Sequence, residues 1–381
     1  MQTLEFQLRT RLVFAPGAVR RAGEIASELG FRHSLLVADR GLTATGHINK
    51  VIAPLRDSGV AISTFTDFDT DPDSSEIEAG RAFAAPLGID SIIALGGGSS
   101  MDCAKGINLL LTNGGCIQDY WGYGQVEQPL LPMIAVPTTA GTGSEAQSYA
   151  LISNAKTHVK MACGDPKAAF RLALLDPTLT VSQPFKVTAA AGFDAIAHAV
   201  ETYVTTKRNA FSDAFAREAW LLLEHNYERV LAEPQDVEAR GAMQLGACFA
   251  GLAIENSMLG ATHACANPLT ARYGTTHGEA IAMLLPAVVR WNGSIANERY
   301  ADLLKLSSQA SVVVDAPTEH LARRLEELAQ AGGLLKSLRN AGVLQSDLPL
   351  LADDAAKQWT GKFNPRSFDS SGAMEVYQCA Y

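Results

Sequence analysis

The segment that decides the fold is Asp90-Ser91-Ile92-Ile93-Ala94-Leu95-Gly96-Gly97-Gly98-Ser99-Ser100-Met101-Asp102. Its first six residues form a short apolar run, typical of a strand buried in a parallel sheet. The run leads directly into three glycines, and a helix is predicted to begin at Cys103. A strand, a glycine-rich turn and a helix N-terminus together favour a phosphate, because backbone N–H groups and the helix dipole attract anions. The spacing is not G-x-G-x-x-G, so a plain tight turn remains the alternative.

Strands and helices alternate on both sides of this segment, which predicts an α/β domain with a parallel sheet. Strands are predicted at 6–14, 34–39, 61–65, 132–137, 147–152, 159–161 and 171–177, the last one stopped by its proline, and helices at 18–29, 45–58 and 74–87.

Two more loops at predicted strand ends suit the same ligand. Asp39 closes strand 34–39, where an acid can bind the ribose hydroxyls of adenosine and repel the extra phosphate of NADP. A helix cap or a turn explains Asp39 equally well. The small hydroxyl and glycine residues of 138–145 follow strand 132–137, as in the ligand crevice of an open α/β sheet. Together with the triple glycine, these loops predict a nucleotide site.

Near Pro184 the pattern changes to alanine- and leucine-rich helical periodicity. Helices are predicted at 188–204, 210–231, 235–256, 278–292, 297–309 and 317–341. A chain of 381 residues accommodates two domains. We therefore predict a dinucleotide-binding α/β domain at 1–183, followed by an all-helical metal-binding and substrate domain at 184–381.

The helical half contains a candidate metal site. Asp194 and His198 are four residues apart in an alanine-rich run, so they share one helix face. His263 and His277 follow in apolar surroundings, and we hypothesise that these four residues bind one metal ion. One carboxylate and three imidazoles suit iron or zinc, and the need for an open substrate position favours Fe(II) without excluding Zn. Taken singly, each residue also fits a structural role: surface acid, core histidine or helix cap.

Composition and charge exclude several classes of function. The net charge of −9 argues against nonspecific binding to nucleic acid or to an anionic membrane. We expect neither a signal peptide nor a membrane span. Six scattered cysteines without a CxxC pair indicate reduced thiols in a cytoplasmic protein. The other histidines lie in polar or surface-like contexts and are expected to be unremarkable: His33, His47, His158, His225 and His320.

The order and spacing of these motifs resemble the iron-dependent (group III) alcohol dehydrogenases over nearly the whole chain. The resemblance is carried by 96–99 with Asp102, by 137–145, by 194–198 and by 259–278. It implies a Rossmann-like N-terminal domain followed by an all-helical C-terminal domain, in a dehydroquinate synthase-like architecture. It also implies an NAD-dependent alcohol dehydrogenase and aldehyde reductase, in which a metal ion activates the alcohol oxygen and a hydride passes to nicotinamide.

The resemblance also assigns residues. Metal ligands fall on Asp194, His198, His263 and His277. Cofactor positions fall on Asp39, Asp71, Gly97, Gly98, Ser99, Asp102, Thr138, Thr139, Thr142 and Lys160. The substrate pocket falls on Tyr149, Leu151, Ile254 and Thr360. Asn267 stands where many members carry a histidine assigned to the substrate and proton path; asparagine cannot titrate, although it can hydrogen-bond a substrate hydroxyl.

The expected cofactors are NAD and Fe(2+), with Zn possible, and the expected substrate is a small alcohol, diol or aldehyde. A homodimer is expected from the frequency of such assemblies, without nucleic-acid or membrane partners. Three alternatives stay open at this point. They are a zinc-dependent glycerol (polyol) dehydrogenase, a dehydroquinate synthase-like lyase, and a catalytically silent nucleotide-binding or filament-forming protein. The lyase is disfavoured because Arg272 is nearly the only basic residue around His263 and His277.

Overall fold

The structure is a computed structural model that describes residues 6–308 and 315–381. It divides into two compact units, an α/β unit of residues 6–139 and 143–182 and a helical unit of Ala140–Thr142 and Gln183–Tyr381. The predicted helix 297–309 reaches one residue beyond the described range. Among the described helices, none combines the length and the apolar character needed to cross a membrane.

The α/β unit contains a six-stranded parallel sheet in the order β1-β9-β6-β4-β2-β3 and a three-stranded sheet in the order β5-β8-β7. Its elements in chain order are β1 (Arg11–Phe14), α1 (Ala22–Glu28), β2 (His33–Val37), α2 (His47–Asp57), β3 (Ala61–Phe65), α3 (Ser74–Ala84), β4 (Ser91–Gly96), α4 (Gly98–Asn113), β5 (Gly122–Tyr123), β6 (Met133–Pro137), β7 (Tyr149–Ser153), β8 (Lys160–Gly164) and β9 (Leu172–Leu175). The predicted fold class is confirmed, although β1 begins at Arg11 and not at residue 6.

The central strand β4 is buried along its whole length, because its neighbours β6 and β2 flank it and helices cover the sheet. Gly96 ends the strand with φ 142°, and a Cβ there would lie 2.2 Å from Ser100 Oγ. Glycine is therefore required where the chain turns from strand to helix. Helix α4 begins at Gly98 and not at Cys103 as predicted, because Gly97 serves as its N-cap and accepts from Met101 N at 3.2 Å.

The helical unit buries alanine, leucine and aromatic side chains in one large core. Its helices are α5 (Phe185–Thr202), α6 (Ala210–Ala232), α7 (Val237–Ser257), α8 (Ala261–Tyr273), α9 (His277–Leu304), α10 (Pro317–Ala331), α11 (Leu348–Ala355) and α12 (Ser370–Ala380). Polar tips of buried aromatics are satisfied by helix carbonyls: Trp220 Nε1 donates to Leu303 O at 2.9 Å, and Tyr377 donates to Cys265 O at 2.7 Å.

Several predicted boundaries in this unit were wrong. The two helices predicted to begin at 278 and 297 are one helix, α9, which ends at Leu304; Gly293 in its middle packs so closely on Thr318 that a Cβ would lie 2.6 Å from it. Helix α10 ends before Gly332-Gly333, ten residues short of 341. Helix α8 was not predicted, because glycine, threonine, asparagine and proline weaken its helical signal. In the α/β unit, the expectation for His47 was also wrong, since its side chain is buried.

Candidate active site

Helix α5 supplies the first two residues of the candidate metal site. Its run of alanines has high helix propensity and leaves space for close packing, and the helix is buried over most of its length. Asp194 and His198, one turn apart, are each only 4% exposed. His198 Nε2 lies 3.5 Å from Asp194 Oδ1, so the two side chains meet as their spacing predicted.

Two other helices bring histidines to the same carboxylate oxygen. His263 is the third residue of α8, and its Nε2 lies 3.4 Å from Asp194 Oδ1. His277 is the first residue of α9, and its Nε2 lies 3.5 Å from that oxygen. The His198 and His263 rings stack with centroids 4.7 Å apart. The imidazoles of three helices thus converge on Asp194.

The donor set fits a divalent metal ion. Asp194 Oδ1 and His263 Nε2 are buried and have no hydrogen-bond partner among the described residues, whereas buried polar atoms are normally paired. The ligand atoms of Asp194, His263 and His277 all lie within 4.8 Å of one another. Two ligands about 2.1 Å from one ion at the tetrahedral angle are about 3.4 Å apart, which matches the three carboxylate–imidazole separations.

Burial and neighbouring charges set the protonation of these groups. Burial opposes ionisation of Asp194, but the surrounding imidazoles outweigh it and hold the pKa of this carboxyl well below its ordinary value. Burial lowers the pKa of His198 to about 4. Burial also acts to lower the pKa of His263, but the carboxylates of Glu201 and Asp194 prevail and raise it to about 9. An ionised carboxylate and a neutral imidazole are the forms in which these side chains bind metals, so His263 must release a proton when an ion binds.

One functional candidate, Glu201, was not predicted from the sequence. This carboxylate is 3% exposed, accepts a hydrogen bond from Thr262 N at 2.6 Å and is hydrogen-bonded to His263 Nδ1. A signal was present in the sequence: Asp194, His198 and Glu201 stand at i, i+4 and i+7, a single stripe of one helix.

The candidate nucleotide site surrounds the N-terminus of α4. Gly97 is the N-cap and supplies no side-chain hydrogen bond, so the first N–H groups of this 16-residue helix are available to an anion. A Cβ at Gly97 would lie 3.2 Å from the Thr139 side chain, and Thr138 N donates to Gly96 O at 2.9 Å. The loops after β4 and β6 therefore pack against each other, as the parallel order of these strands requires.

Three other predicted cofactor residues contact this helix start or each other. Ser100 Oγ donates to Asp39 Oδ2 at 3.2 Å, and Asp39 makes no side-chain cap to the short 3₁₀ helix that follows it. The helix-cap alternative for Asp39 is therefore not supported. Asp71 N donates to Ser99 Oγ at 3.0 Å, and Lys160 Nζ pairs with Asp71 Oδ1 at 2.9 Å.

Asp102 lies one turn into α4 and is buried, with Oδ1 unpaired among the described residues. Burial raises its pKa to about 7, although Lys105 and Lys160 act in the opposite direction. Thr142 is the exception in the predicted set, because the segment Ala140–Thr142 belongs to the helical unit. The structure thus gathers all the predicted cofactor residues except Thr142 in the α/β unit.

The predicted substrate residues are divided between the units. Tyr149 and Leu151 lie on β7, and the Tyr149 ring is 5.6 Å from that of Tyr123. In the helical unit, Ile254 and Thr360 are buried, and Thr360 Oγ1 has no partner among the described residues. Asn267 Nδ2 donates to Gln358 Oε1 at 3.0 Å, which ties α8 to the segment that carries Thr360.

Comparison with known proteins identifies the family. Residues 9–177 match the iron-containing alcohol dehydrogenase family, and residues 188–381 match the C-terminal domain of the same family. The chain is 33% identical over 373 residues to a 1,3-propanediol dehydrogenase of Klebsiella pneumoniae, with 97% of this chain and 96% of the relative covered. It is also 33% identical to an NAD-dependent methanol dehydrogenase of Bacillus methanolicus, with 93% of each chain covered.

A solved structure of a 1,3-propanediol oxidoreductase superposes on the whole chain, with full coverage of both chains, 31% identity and a TM-score of 0.96. These relatives confirm the predicted resemblance, the enzyme class and the expected pair of cofactors, NAD and a divalent metal ion. They give no support to a zinc-dependent polyol dehydrogenase. The chain belongs to the iron-containing alcohol dehydrogenase family and is an NAD-dependent, metal-dependent alcohol dehydrogenase.

Proposed function

We propose that Asp194, His198, His263 and His277 together bind the metal ion, that this ion is iron, and that the substrates are short alcohols, diols and the corresponding aldehydes. One observation carries the proposal: three imidazole Nε2 atoms lie 3.4–3.5 Å from a single buried carboxylate oxygen. A mixed carboxylate and imidazole set suits a first-row divalent metal, and Fe(II) accepts additional ligands readily.

The protein prepares this centre with its own charges. When bound, the ion supplies a Lewis acid that makes the alcohol hydroxyl easier to deprotonate and polarises an aldehyde carbonyl. Asp194 contributes the negative charge that offsets part of the charge of a cation, and the neutral imidazole of His198 adds none. The buried, partly apolar surroundings strengthen these interactions, because the local dielectric constant is far below that of water.

The α/β unit is proposed to hold NAD through the cofactor residues predicted from the sequence. The N–H groups that follow Gly97 would bind the pyrophosphate, since Gly97 offers no side-chain cap to them. Asp39 accepts from the ribose hydroxyls and disfavours a 2′-phosphate by charge repulsion. Thr142 keeps its proposed role as a cofactor residue contributed by a segment of the helical unit.

Short substrates are supported by the relatives, which act on propanediol and methanol by name. In the helical unit, Ile254 would offer an apolar wall, Thr360 a hydroxyl and Asn267 an amide, and Tyr149 and Leu151 are proposed as further lining. Asn267 would hydrogen-bond the substrate oxygen without exchanging a proton at neutral pH, since an amide does not titrate. The alcohol proton must therefore leave through a group other than the side chain of residue 267.

The test is metal analysis of the purified protein, followed by an NADH-absorbance screen of short alcohols, diols and aldehydes. His263→Ala should lose the metal and turnover while NAD still binds, because His263 is assigned to the metal and not to the cofactor. His320→Ala is the matched control, since His320 is exposed on α10. A metal-free His263→Ala protein with full activity would refute the proposal.

We further propose a homodimer located in the cytoplasm. All six cysteines are free thiols, and Cys116 and Cys379 are exposed, which suits a reducing compartment. Two-fold dimers are the commonest oligomers of soluble enzymes. Light scattering coupled to size-exclusion chromatography measures the assembly directly, and a monomeric mass at micromolar concentration would contradict it.

A further inference from the structure

Helix α8, which carries His263, begins without a cap of its own. Its N-cap is Gly260, which has no side chain, and the first N–H groups are satisfied from elsewhere in the helical unit. Ala261 N donates to Asn364 Oδ1 at 3.2 Å, and Thr262 N donates to Glu201 Oε1 at 2.6 Å. A Cβ at Gly260 would lie 3.0 Å from Asn364 Oδ1 and 3.1 Å from Glu201 Oε1, so glycine leaves room for both acceptors.

Glu201 makes a second contact through its other oxygen. Oε2 is hydrogen-bonded to Nδ1 of His263, the ring nitrogen opposite the Nε2 that lies near Asp194. An ionised carboxylate only accepts hydrogen bonds, so Nδ1 keeps its proton and Nε2 is the nitrogen that gives up its proton to bind an ion. His198 lacks such a contact, since its Nδ1 has no partner among the described residues.

We propose that Glu201 is a positioning residue of the metal centre: it fixes the orientation and tautomer of His263 so that Nε2 is available to the ion, and it caps α8 at the same time. This inference rests on the proposed metal site. Helix α5 thus carries two proposed ligands, Asp194 and His198, together with the residue that contacts a third. Carboxylate partners of metal-binding histidines typically change metal affinity by about 10–100-fold.

The rival explanation is that Glu201 only stabilises α8 as a cap. Glu201→Gln separates the two roles, because glutamine offers one acceptor and one donor. Its carbonyl oxygen still accepts from Thr262 N, but its amide then faces His263 Nδ1 as a donor. Nδ1 must then accept, which moves the ring proton to Nε2 and blocks the metal-binding nitrogen.

The experiment measures Co(II) affinity of the metal-free protein by chelator competition and records the visible absorption spectrum of the Co(II) form. Glu201→Gln should bind Co(II) about 10–100-fold more weakly than the wild type and show an altered spectrum, with a urea midpoint close to the wild-type value. Asn364→Ala is the matched control, because it removes a cap from the same helix without touching His263. It should lower the urea midpoint and change Co(II) affinity by less than about threefold, which is well below the range expected for Glu201→Gln.

The inference is overturned if Glu201→Gln binds Co(II) as tightly as the wild type, or if Asn364→Ala loses as much affinity as Glu201→Gln. If Glu201→Gln does not fold, Glu201→Ala replaces it, and an unchanged Co(II) affinity in that variant would also overturn the inference. Asp194→Ala tests the metal site itself. If Asp194→Ala keeps wild-type affinity, the proposed metal site is wrong, whereas loss in Asp194→Ala with no loss in Glu201→Gln removes only the role of Glu201.

Discussion

Lys105 Nζ donates a hydrogen bond to the carbonyl oxygen of Tyr149 at 2.7 Å, and this contact joins α4 to the start of β7. The same ammonium group donates to the carbonyls of Ser144 at 2.9 Å and Gln147 at 2.8 Å. It also lies 5.1 Å from the centroid of the Phe170 ring. Lys105 is fully buried, so backbone dipoles and an aromatic face replace its water. Through Lys105, helix α4, whose N-terminus forms the candidate nucleotide site, thereby holds the 144–149 segment in place.

Replacing Lys105 by methionine should destabilise the protein strongly. The change removes the ammonium donor that the carbonyls of Ser144, Gln147 and Tyr149 share, and the loss of a hydrogen bond to a charged group costs about 1.5–3 kcal/mol. We expect the free energy of unfolding of the metal-free enzyme to fall by about 3 kcal/mol or more, measured by urea denaturation. Lys50→Met, at an exposed position of α2, should stay near the wild-type value. Equal stability of the two variants would contradict this role of Lys105.

Asp102 should make stability depend on pH. Its pKa is raised from 3.8 to about 7, chiefly by burial. Because the protonated form is favoured in the folded state, stability is fully present below the unfolded pKa and is lost as pH rises from about 4 through about 7. Asp102→Asn should therefore raise the melting temperature of the cofactor-free protein at pH 8 and change it little at pH 4.5. An Asp102→Asn effect that is equal at both pH values would refute the assignment.

Gly260→Ala should disturb the metal centre although residue 260 is not a proposed ligand. The new methyl group would press on Asn364 Oδ1 and Glu201 Oε1, which cap α8. Overpacking of this kind costs about 1–3 kcal/mol. We expect a lower urea midpoint together with weaker Co(II) binding, because Glu201 must shift away from His263. Unchanged Co(II) affinity and stability would show that Asn364 and Glu201 accommodate the methyl group without disturbing the metal centre.

Asp39→Ser should reduce the discrimination between NAD and NADP. The substitution removes the carboxylate that is proposed to bind the ribose hydroxyls and to repel a 2′-phosphate. We expect kcat/KM for NAD to fall and kcat/KM for NADP to rise, with a combined change in preference of about tenfold or more, equivalent to about 1.4 kcal/mol. Steady-state kinetics with both cofactors measures it. A preference unchanged from that of the wild type would place the discrimination elsewhere.

Local sequence patterns were sufficient to predict many of the strands and helices of the α/β unit. Buried strands and amphipathic helices alternate in the sequence, and glycine at the end of β4 is dictated by local backbone geometry. The boundary errors share a physical cause. Glycine has low helix propensity, but other contacts outweigh it at these positions. Gly97 and Gly98 begin the long hydrogen-bonded helix α4, and Gly293 of α9 packs closely on Thr318.

The sequence by itself determined that Asp194, His198 and Glu201 share a helix face, because their spacing is a property of one helix. Only the tertiary structure decided which atoms meet there. His263 and His277 are 69 and 83 residues from Asp194 in the chain, and the packing of α9 on α5 and of α8 on α9 brings their Nε2 atoms to one oxygen. The start of α8 likewise depends on Glu201 and Asn364, acceptors distant in sequence. A local pattern cannot show a helix whose cap comes from elsewhere, because the stabilising contact exists only after folding.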